Sequence, residues 1–190
     1  MDRPLILYLH GFCSSPASWK AVLLAQAMAA RGLAEHWVCP CLSPVPATAL
    51  ATAEGIIAAA PGPVTLIGSS LGGHYATCLA EKHDLRAALV NPAVIGRLAP
   101  DRFIGEHANF HSGERFAFTA AHAAQLATQA VPTPSPQRYL LLVEEGDEVL
   151  DYRDAVAHYA GCRQIVLPGG DHSFTQFPKY IAQLIEFAGL

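Results

Sequence analysis

The segment with the clearest chemical signature is Gly68-Ser69-Ser70-Leu71-Gly72, a G-x-S-x-G motif that directly follows the apolar run 64–67. A stretch of helical character begins at Leu71, so the pattern predicts a strand, a sharp turn at Ser70 and a helix. A side chain at Gly68 or Gly72 would collide with neighbouring backbone in such a turn. We therefore predict that Ser70 is a nucleophile exposed at the carboxyl edge of a sheet; the alternative is a purely structural Gly-rich turn.

A serine hydroxyl needs a general base, and the chain offers nine histidines. His172 has the best position, because it lies on a Gly-rich loop after the last predicted strand, where the chain order nucleophile, acid, base requires it. His10 is the main rival, since it also follows a strand, but it precedes the nucleophile. His74 and His158 lie on predicted helices, where packing or surface roles are expected. We predict His172 as the base.

The acid is expected at a strand end between Ser70 and His172, where its carboxylate can hold the imidazole in the correct tautomer. Asp147 meets this condition, because it follows Gly146 in a turn after the apolar run 139–143. Asp171 is adjacent to the base, and adjacent side chains diverge, so a turn role is expected for it. Asp147 is thus the predicted acid, and three nearby carboxylates remain alternatives: Glu144, Glu145 and Glu148.

Two backbone N–H groups are expected to form an oxyanion hole. One belongs to Leu71, the residue after the nucleophile, and the other to Phe12 on the loop after the first strand. The Phe12 side chain could equally line a pocket. Cys13 has no base or cation near it in the sequence, so no catalytic role is assigned to its thiol. This chemistry requires neither a cofactor nor a metal.

The elements that must position these residues alternate between short apolar runs and longer helical stretches, as in βαβ units around a parallel sheet. Several runs are apolar at nearly every position, which is typical of strands covered on both faces. About six strands are predicted, over residues 5–9, 36–41, 64–67, 87–90, 139–143 and 164–167.

Five helices are predicted, over residues 16–31, 47–60, 71–83, 151–160 and 178–187. The first has Ser14 or Ser15 near its beginning and Gly32 just after its end, which are typical capping residues. Asp151 is expected to cap the fourth. The Ala-rich second helix suits close packing on a sheet; an exposed alanine helix is the alternative.

Residues 96–136 interrupt this alternation, because they contain no strand-like run and end in a Pro-rich segment. Long interruptions of this kind often form lids or binding insertions. We expect a small helical cap here, within a single domain spanning residues 1–190. A crossover helix with a long loop is the alternative.

The composition narrows the range of partners. The chain is 52% hydrophobic and 15% charged, far from the signature of disorder, and its formal net charge of −4 provides no attraction to nucleic acid or anionic lipid. Five cysteines without a CxxC pair argue against disulfides and a zinc site, and most are expected to be small core residues. The sequence does not indicate an oligomeric state.

The N-terminal apolar run is too short for a signal peptide or a membrane span. We therefore expect a cytoplasmic protein that begins at Met1 and has no membrane partner.

Four segments together resemble the α/β-hydrolase superfamily, and more closely its small bacterial YqiA/YcfP-like esterases. They are residues 7–16, 68–73, 146–153 and 170–174. The resemblance spans nearly the whole chain and implies a reduced hydrolase fold with helices on both faces of the sheet. It also implies cleavage of acyl esters or thioesters.

The expected activity is therefore ester or thioester hydrolysis on a small-molecule substrate through Ser70, His172 and Asp147. Other acyl-transfer, C–C or amide hydrolases could use the same triad, because the fold does not determine the substrate. A non-catalytic ligand-binding protein with this fold is the remaining alternative.

Overall fold

A computed structural model describes residues 4–190. The expectation that the protein begins at Met1 concerns residues outside this described part. A six-stranded parallel sheet forms the centre, in the order β2-β1-β3-β4-β7-β8. Its strands are β1 (Leu5–Leu9), β2 (Trp37–Val38), β3 (Val64–Ser69), β4 (Arg86–Val90), β7 (Tyr139–Glu144) and β8 (Arg163–Leu167). Strands β5 (Gly105–Ala108) and β6 (Arg115–Phe118) form a separate antiparallel hairpin. The predicted fold class is confirmed.

Residues 4–190 contain six helices: α1 (Trp19–Ala30), α2 (Pro46–Ala59), α3 (Leu71–His83), α4 (Ala120–Thr128), α5 (Tyr152–His158) and α6 (Ile181–Phe187). Successive strand residues face opposite sides, which creates two cores. Ile6 and Tyr8 pack with α1 and α6 on one face of the sheet, whereas Leu7 and Leu9 pack with α2 and α3 on the other face. The sheet is therefore covered on both sides, as its continuous apolar strands predict.

The central strands match the sequence prediction closely, and the differences lie at the edges. Strand β2 is limited to two residues, against the six expected over 36–41. Helix α1 begins at Trp19 after Ser18, not after Ser14 or Ser15, because residues 15–18 form a turn. Gly32 follows the helix with φ +71°, a left-handed conformation that glycine adopts without strain.

The small helical cap expected at residues 96–136 is only partly helical. The segment contains the β5–β6 hairpin as well as a short 3₁₀ turn at Pro100–Phe103 and helix α4. The hairpin was missed because most of its residues are exposed, β5 has no apolar periodicity and β6 is only four residues long. We refer to residues 96–136 as the cap.

The expectation that most cysteines are core residues was also wrong. All five are free, four are half-buried and Cys41 is exposed. Cys78 and Cys162 pack at the margin of one core and Cys39 at the margin of the other. None of the helices within residues 4–190 combines the length and apolar character needed to cross a membrane.

Candidate active site

Ser70 occupies the turn between β3 and α3 in a conformation that L-residues rarely adopt, with φ 55° and ψ −123°. Its N–H donates to Val90 O at 3.1 Å, which anchors the turn on the sheet. A Cβ on Gly68 would overlap the backbone of Gly72, and a Cβ on Gly72 would overlap Leu9. Both glycines are therefore required for the strained turn to pack, and the surrounding structure holds the strain in place.

The structure brings Ser70, His172 and Asp147 together although they are far apart in the chain. Ser70 Oγ lies 3.0 Å from His172 Nε2, and His172 Nδ1 lies 2.8 Å from Asp147 Oδ2. Because a carboxylate only accepts hydrogen bonds, Nδ1 donates to Asp147, and Nε2 of the neutral ring is left to accept the Ser70 hydroxyl proton. The Asp147 side chain is only 2% exposed, so bulk water does not compete for it.

Two backbone donors fix the Asp147 carboxylate. Its Oδ1 accepts from Val149 N–H at 2.9 Å and from Leu150 N–H at 2.8 Å. Gly146 allows the close approach of the loop that carries His172, because a Cβ at this position would overlap Gly170 O. The turn after β7 is therefore built to hold a short carboxylate against the imidazole.

Two of the other carboxylates proposed for the acid, those of Glu148 and Glu144, bind the backbone of the base loop, residues 169–176. Glu148 accepts from the His172 N–H at 3.0 Å, and this hydrogen bond lowers the pKa of the Glu148 carboxyl. Glu144 is fully buried and accepts from two backbone N–H groups, those of Asp171 at 2.9 Å and Gln176 at 3.2 Å. Glu145 is exposed. None of these three replaces Asp147 beside the imidazole.

Asn91 also holds the base loop, and sequence reasoning missed it together with the positioning role of Glu144. The Asn91 amide donates to Asp171 O at 3.0 Å and to His172 O at 3.3 Å, and it accepts from Glu144 N–H at 3.0 Å. The residue is buried with φ 41°. One available signal was its place directly after β4, at the carboxyl edge of the sheet.

Lys20 provides a further connection to the base loop from α1. Its ammonium donates to Ser173 O at 2.8 Å. Burial lowers the pKa of Lys20 to about 8, and the neighbouring carboxylates of Asp171, Glu144 and Asp147 oppose this shift only in part. Side chains therefore hold the backbone on both sides of His172.

His10, the main rival base, uses both ring nitrogens in local backbone contacts. Its Nε2 accepts from Leu42 N–H and its Nδ1 donates to Gly11 O, each at 3.0 Å. Burial lowers the pKa of His10, which keeps the ring neutral. Burial likewise lowers the pKa of His74 to about 4 and that of His158 below its usual value. These three rings are bound or buried away from Ser70.

The predicted oxyanion donors lie on two elements that border the nucleophile. Leu71 is the first residue of α3, so its N–H precedes the helical hydrogen-bond ladder. Neither this N–H nor that of Phe12 has an acceptor within residues 4–190. A Cβ on Gly11 would stand 3.6 Å from Ser70 Oγ, which shows how closely the Phe12 loop, residues 10–15, approaches the serine.

Two cavities lie on either side of Phe12 and Leu71. The first, of about 220 Å³, contains Ser70 and His172, and all its other described lining residues are apolar. The second, of about 270 Å³, is more polar and includes Cys13, Cys41 and Glu114. Burial raises the pKa of the Cys13 thiol, which disfavours the reactive thiolate. The apolar cavity is the one that opens onto the serine and histidine.

No cluster of three or more histidine, cysteine, aspartate or glutamate side chains within residues 4–190 is arranged to hold a metal ion. The acidic groups near Ser70 are instead engaged by His172 and by backbone N–H groups. The groups that can take part in chemistry here are one hydroxyl, one imidazole, one carboxylate and two backbone donors.

A family described as an uncharacterised protein family, UPF0227, matches residues 5–189. Among solved structures, the chain is similar to a protein from Agrobacterium vitis S4 at 20% identity and a TM-score of 0.76, covering 98% of this chain and 88% of that one. It is also similar to mouse alpha/beta hydrolase domain-containing protein 10, at 18% identity and a TM-score of 0.72, covering 97% and 90%. It is similar as well to Est1E from Butyrivibrio proteoclasticus, at 16% identity and a TM-score of 0.69, covering 100% of this chain and 90% of that one. These structures share the fold.

Proposed function

The chain belongs to the UPF0227 family, which confirms the resemblance to YqiA-like proteins, and from this premise we propose that it is a serine hydrolase of carboxylic esters or thioesters. The observation that carries the proposal is the continuous hydrogen-bonded line from Ser70 Oγ through the His172 ring to Asp147, at 3.0 and 2.8 Å. A nucleophile, its base and an orienting acid within hydrogen-bond reach are the requirements for acyl transfer.

In the first half of the reaction, Ser70 Oγ attacks the acyl carbonyl carbon while its proton passes to His172 Nε2. The carbonyl oxygen becomes an oxyanion, which the N–H groups of Phe12 and Leu71 stabilise. The tetrahedral intermediate then expels the alcohol or thiol, which takes the proton from His172. An acyl-enzyme on Ser70 remains, and Asp147 keeps the imidazolium oriented throughout.

In the second half, water gives a proton to His172 and attacks the acyl-enzyme carbonyl carbon. The second intermediate releases Ser70, which recovers the proton from His172, and the carboxylic acid departs. No group is oxidised or reduced. The catalytic residues end in their starting protonation states, so no co-reactant other than water is needed.

The apolar cavity beside Ser70 supports an acyl substrate with an apolar portion, because no charged side chain in its lining could pair with a carboxylate or an ammonium group. Its volume of about 220 Å³ suits a small group. Est1E, which shares the fold, has been solved with ferulic acid bound. The net charge of −4 favours a small molecule over nucleic acid as the partner.

Two measurements with purified protein test the proposal. A fluorophosphonate probe should label Ser70, and the Ser70→Ala variant should lose both labelling and p-nitrophenyl butyrate hydrolysis, the latter by about 10⁴-fold or more. Ser69→Ala, the adjacent serine, should still be labelled. Retained turnover in Ser70→Ala would exclude this mechanism.

The alternatives have distinct outcomes in the same assay. An unlabelled wild-type Ser70 would indicate a ligand-binding protein with the hydrolase fold, because a serine without an active base does not react with the probe. A labelled enzyme with faster turnover of aminoacyl amides than of esters or acyl-CoA would indicate a peptidase or amidase. Comparing these three substrate types at equal concentration distinguishes the reactions.

A further inference from the structure

The tip of the cap hairpin is hydrogen-bonded to the loop that carries the proposed oxyanion donor. The N–H of Phe110 donates to Cys13 O at 2.8 Å, and the side-chain amide of Asn109 donates to Ser14 O at 2.7 Å. These acceptors are the first two residues after Phe12. Cys13 has φ 55°, so the Phe12 loop turns sharply at the point where the hairpin holds it.

The Phe12 side chain makes a second connection between the same two regions. Its ring is surrounded by four rings of the cap, with centroid distances between 4.9 and 5.7 Å. Three of the contacts have the edge-to-face geometry that aromatic pairs prefer. The four rings belong to Phe103, His107, Phe116 and Phe118.

The ring contacts act on Phe12 itself, whose N–H is proposed to bind the oxyanion, and the hydrogen bonds act on the two residues that follow it. An oxyanion donor is effective only when it is held at hydrogen-bond distance from the position that the oxygen reaches in the transition state. We propose that the cap positions the Phe12 N–H, with Asn109 as a positioning residue for the chemical step. This inference rests on the proposed function.

The role of Asn109 can be separated from its role in the hairpin turn. Its Oδ1 accepts from the N–H groups of His111 and Ser112, at 2.9 and 3.0 Å, and so shapes the turn. Asn109→Asp keeps this acceptor but replaces the Nδ2 donor with an oxygen that faces the Ser14 carbonyl. The variant therefore breaks the hydrogen bond between Asn109 and Ser14 and retains the local turn.

The test measures kcat and KM for p-nitrophenyl butyrate in Asn109→Asp and in Ser112→Ala. Ser112 is exposed, and its hydroxyl accepts only from Glu114 N–H inside the same turn. We expect kcat to fall about tenfold in Asn109→Asp with KM within twofold of wild type, because a displaced donor loses part of the roughly 10²–10³-fold that a complete donor contributes. Ser112→Ala should leave both parameters unchanged.

Phe116→Leu keeps the test decisive if Asn109→Asp does not fold. Phe116 contacts Phe12 edge to face and lines the second cavity, not the one that contains Ser70, so we expect its effect on turnover to act through Phe12. A fall in kcat with constant KM supports the proposal. Unchanged kcat in the folded variants, or a change in KM alone, overturns it. A wild-type enzyme that neither reacts with the fluorophosphonate nor cleaves esters instead contradicts the proposed function.

Discussion

The base loop and the Phe12 loop border the same serine but are held by different interactions. Around His172, buried polar side chains from the sheet bind the loop backbone: Glu144 and Asn91 alone make four such hydrogen bonds. Around Phe12, the cap supplies aromatic contacts and two hydrogen bonds. Removing one polar partner leaves a buried group without a hydrogen bond, whereas truncating an apolar side chain removes packing contacts in proportion to the atoms lost.

The two regions should therefore respond differently to substitution. The base loop lies at the sheet edge and should respond sharply, because specific buried side chains hydrogen-bond its backbone. The cap should respond gradually, and its changes should affect which acyl group is accepted as well as the rate.

Asp147→Asn should lower kcat by about 10⁴-fold with the fold intact. The Asn carbonyl can still accept from Val149 and Leu150 N–H, so its Nδ2 takes the place of Oδ2 opposite His172 Nδ1. Two donors would then face each other unless the ring changes tautomer. The changed ring carries its proton on Nε2 and can no longer accept the Ser70 proton. Kinetics with p-nitrophenyl butyrate measure the fall in kcat, and a thermal melt checks that the fold is intact.

The matched control for that variant is Glu148→Gln. Its side-chain oxygen can still accept from the His172 N–H, and it lies beside the same loop without touching the ring nitrogens. Activity within about threefold of wild type is expected, since a neutral acceptor keeps most of one hydrogen bond. Equal losses in the two variants would contradict the assignment of Asp147 as the acid.

Glu144→Gln should lower kcat by roughly 30-fold and destabilise the fold by about 2–3 kcal/mol. The carboxylate is fully buried and accepts from both Asp171 and Gln176 N–H, so an amide must turn its NH₂ toward one of these donors. The base loop would shift with Asp171, which is adjacent to His172. Urea unfolding and steady-state kinetics measure the two effects.

Glu145→Gln is the control for this substitution, because its side chain is exposed and adjacent in the sequence. It should change stability by no more than about 0.5 kcal/mol. If Glu144→Gln were equally neutral, the buried carboxylate would not be holding the base loop, and the contrast between the two loops would lose its main support.

The parts of the molecule that depend on local rules were predictable from the sequence. The apolar central strands and the turn at Ser70 follow from patterns within about ten residues. Strands β1, β3, β4, β7 and β8 begin and end within two residues of the expectation. His172 and Asp147 required only chain order and strand ends.

Asn91, Glu144 and the cap hairpin depend on interactions between distant residues. A buried Glu at the end of an apolar strand cannot be distinguished from an exposed one until the base loop folds over it. Strand β5 has the sequence Gly-Glu-His-Ala, which shows no apolar periodicity. Its pairing with β6 depends on tertiary context. The cysteines were misjudged because residue type gives only an average tendency to be buried.

Leu126→Ala tests the cap as the determinant of acyl size, and it carries the smallest expected effect. Leu126 is 2% exposed and lines the apolar cavity from α4, so its truncation should enlarge the space beside Ser70. The ratio of kcat/KM for p-nitrophenyl octanoate to that for the butyrate should rise roughly threefold to tenfold, since a hydrophobic pocket discriminates weakly between neighbouring chain lengths. Leu184→Ala is the matched control: it truncates a fully buried leucine on the opposite face of the sheet, so the protein should lose stability without a change in the ratio.

An unchanged ratio in Leu126→Ala would mean that the acyl group lies outside this cavity. The cap would then border the Phe12 loop without determining which acyl group is accepted.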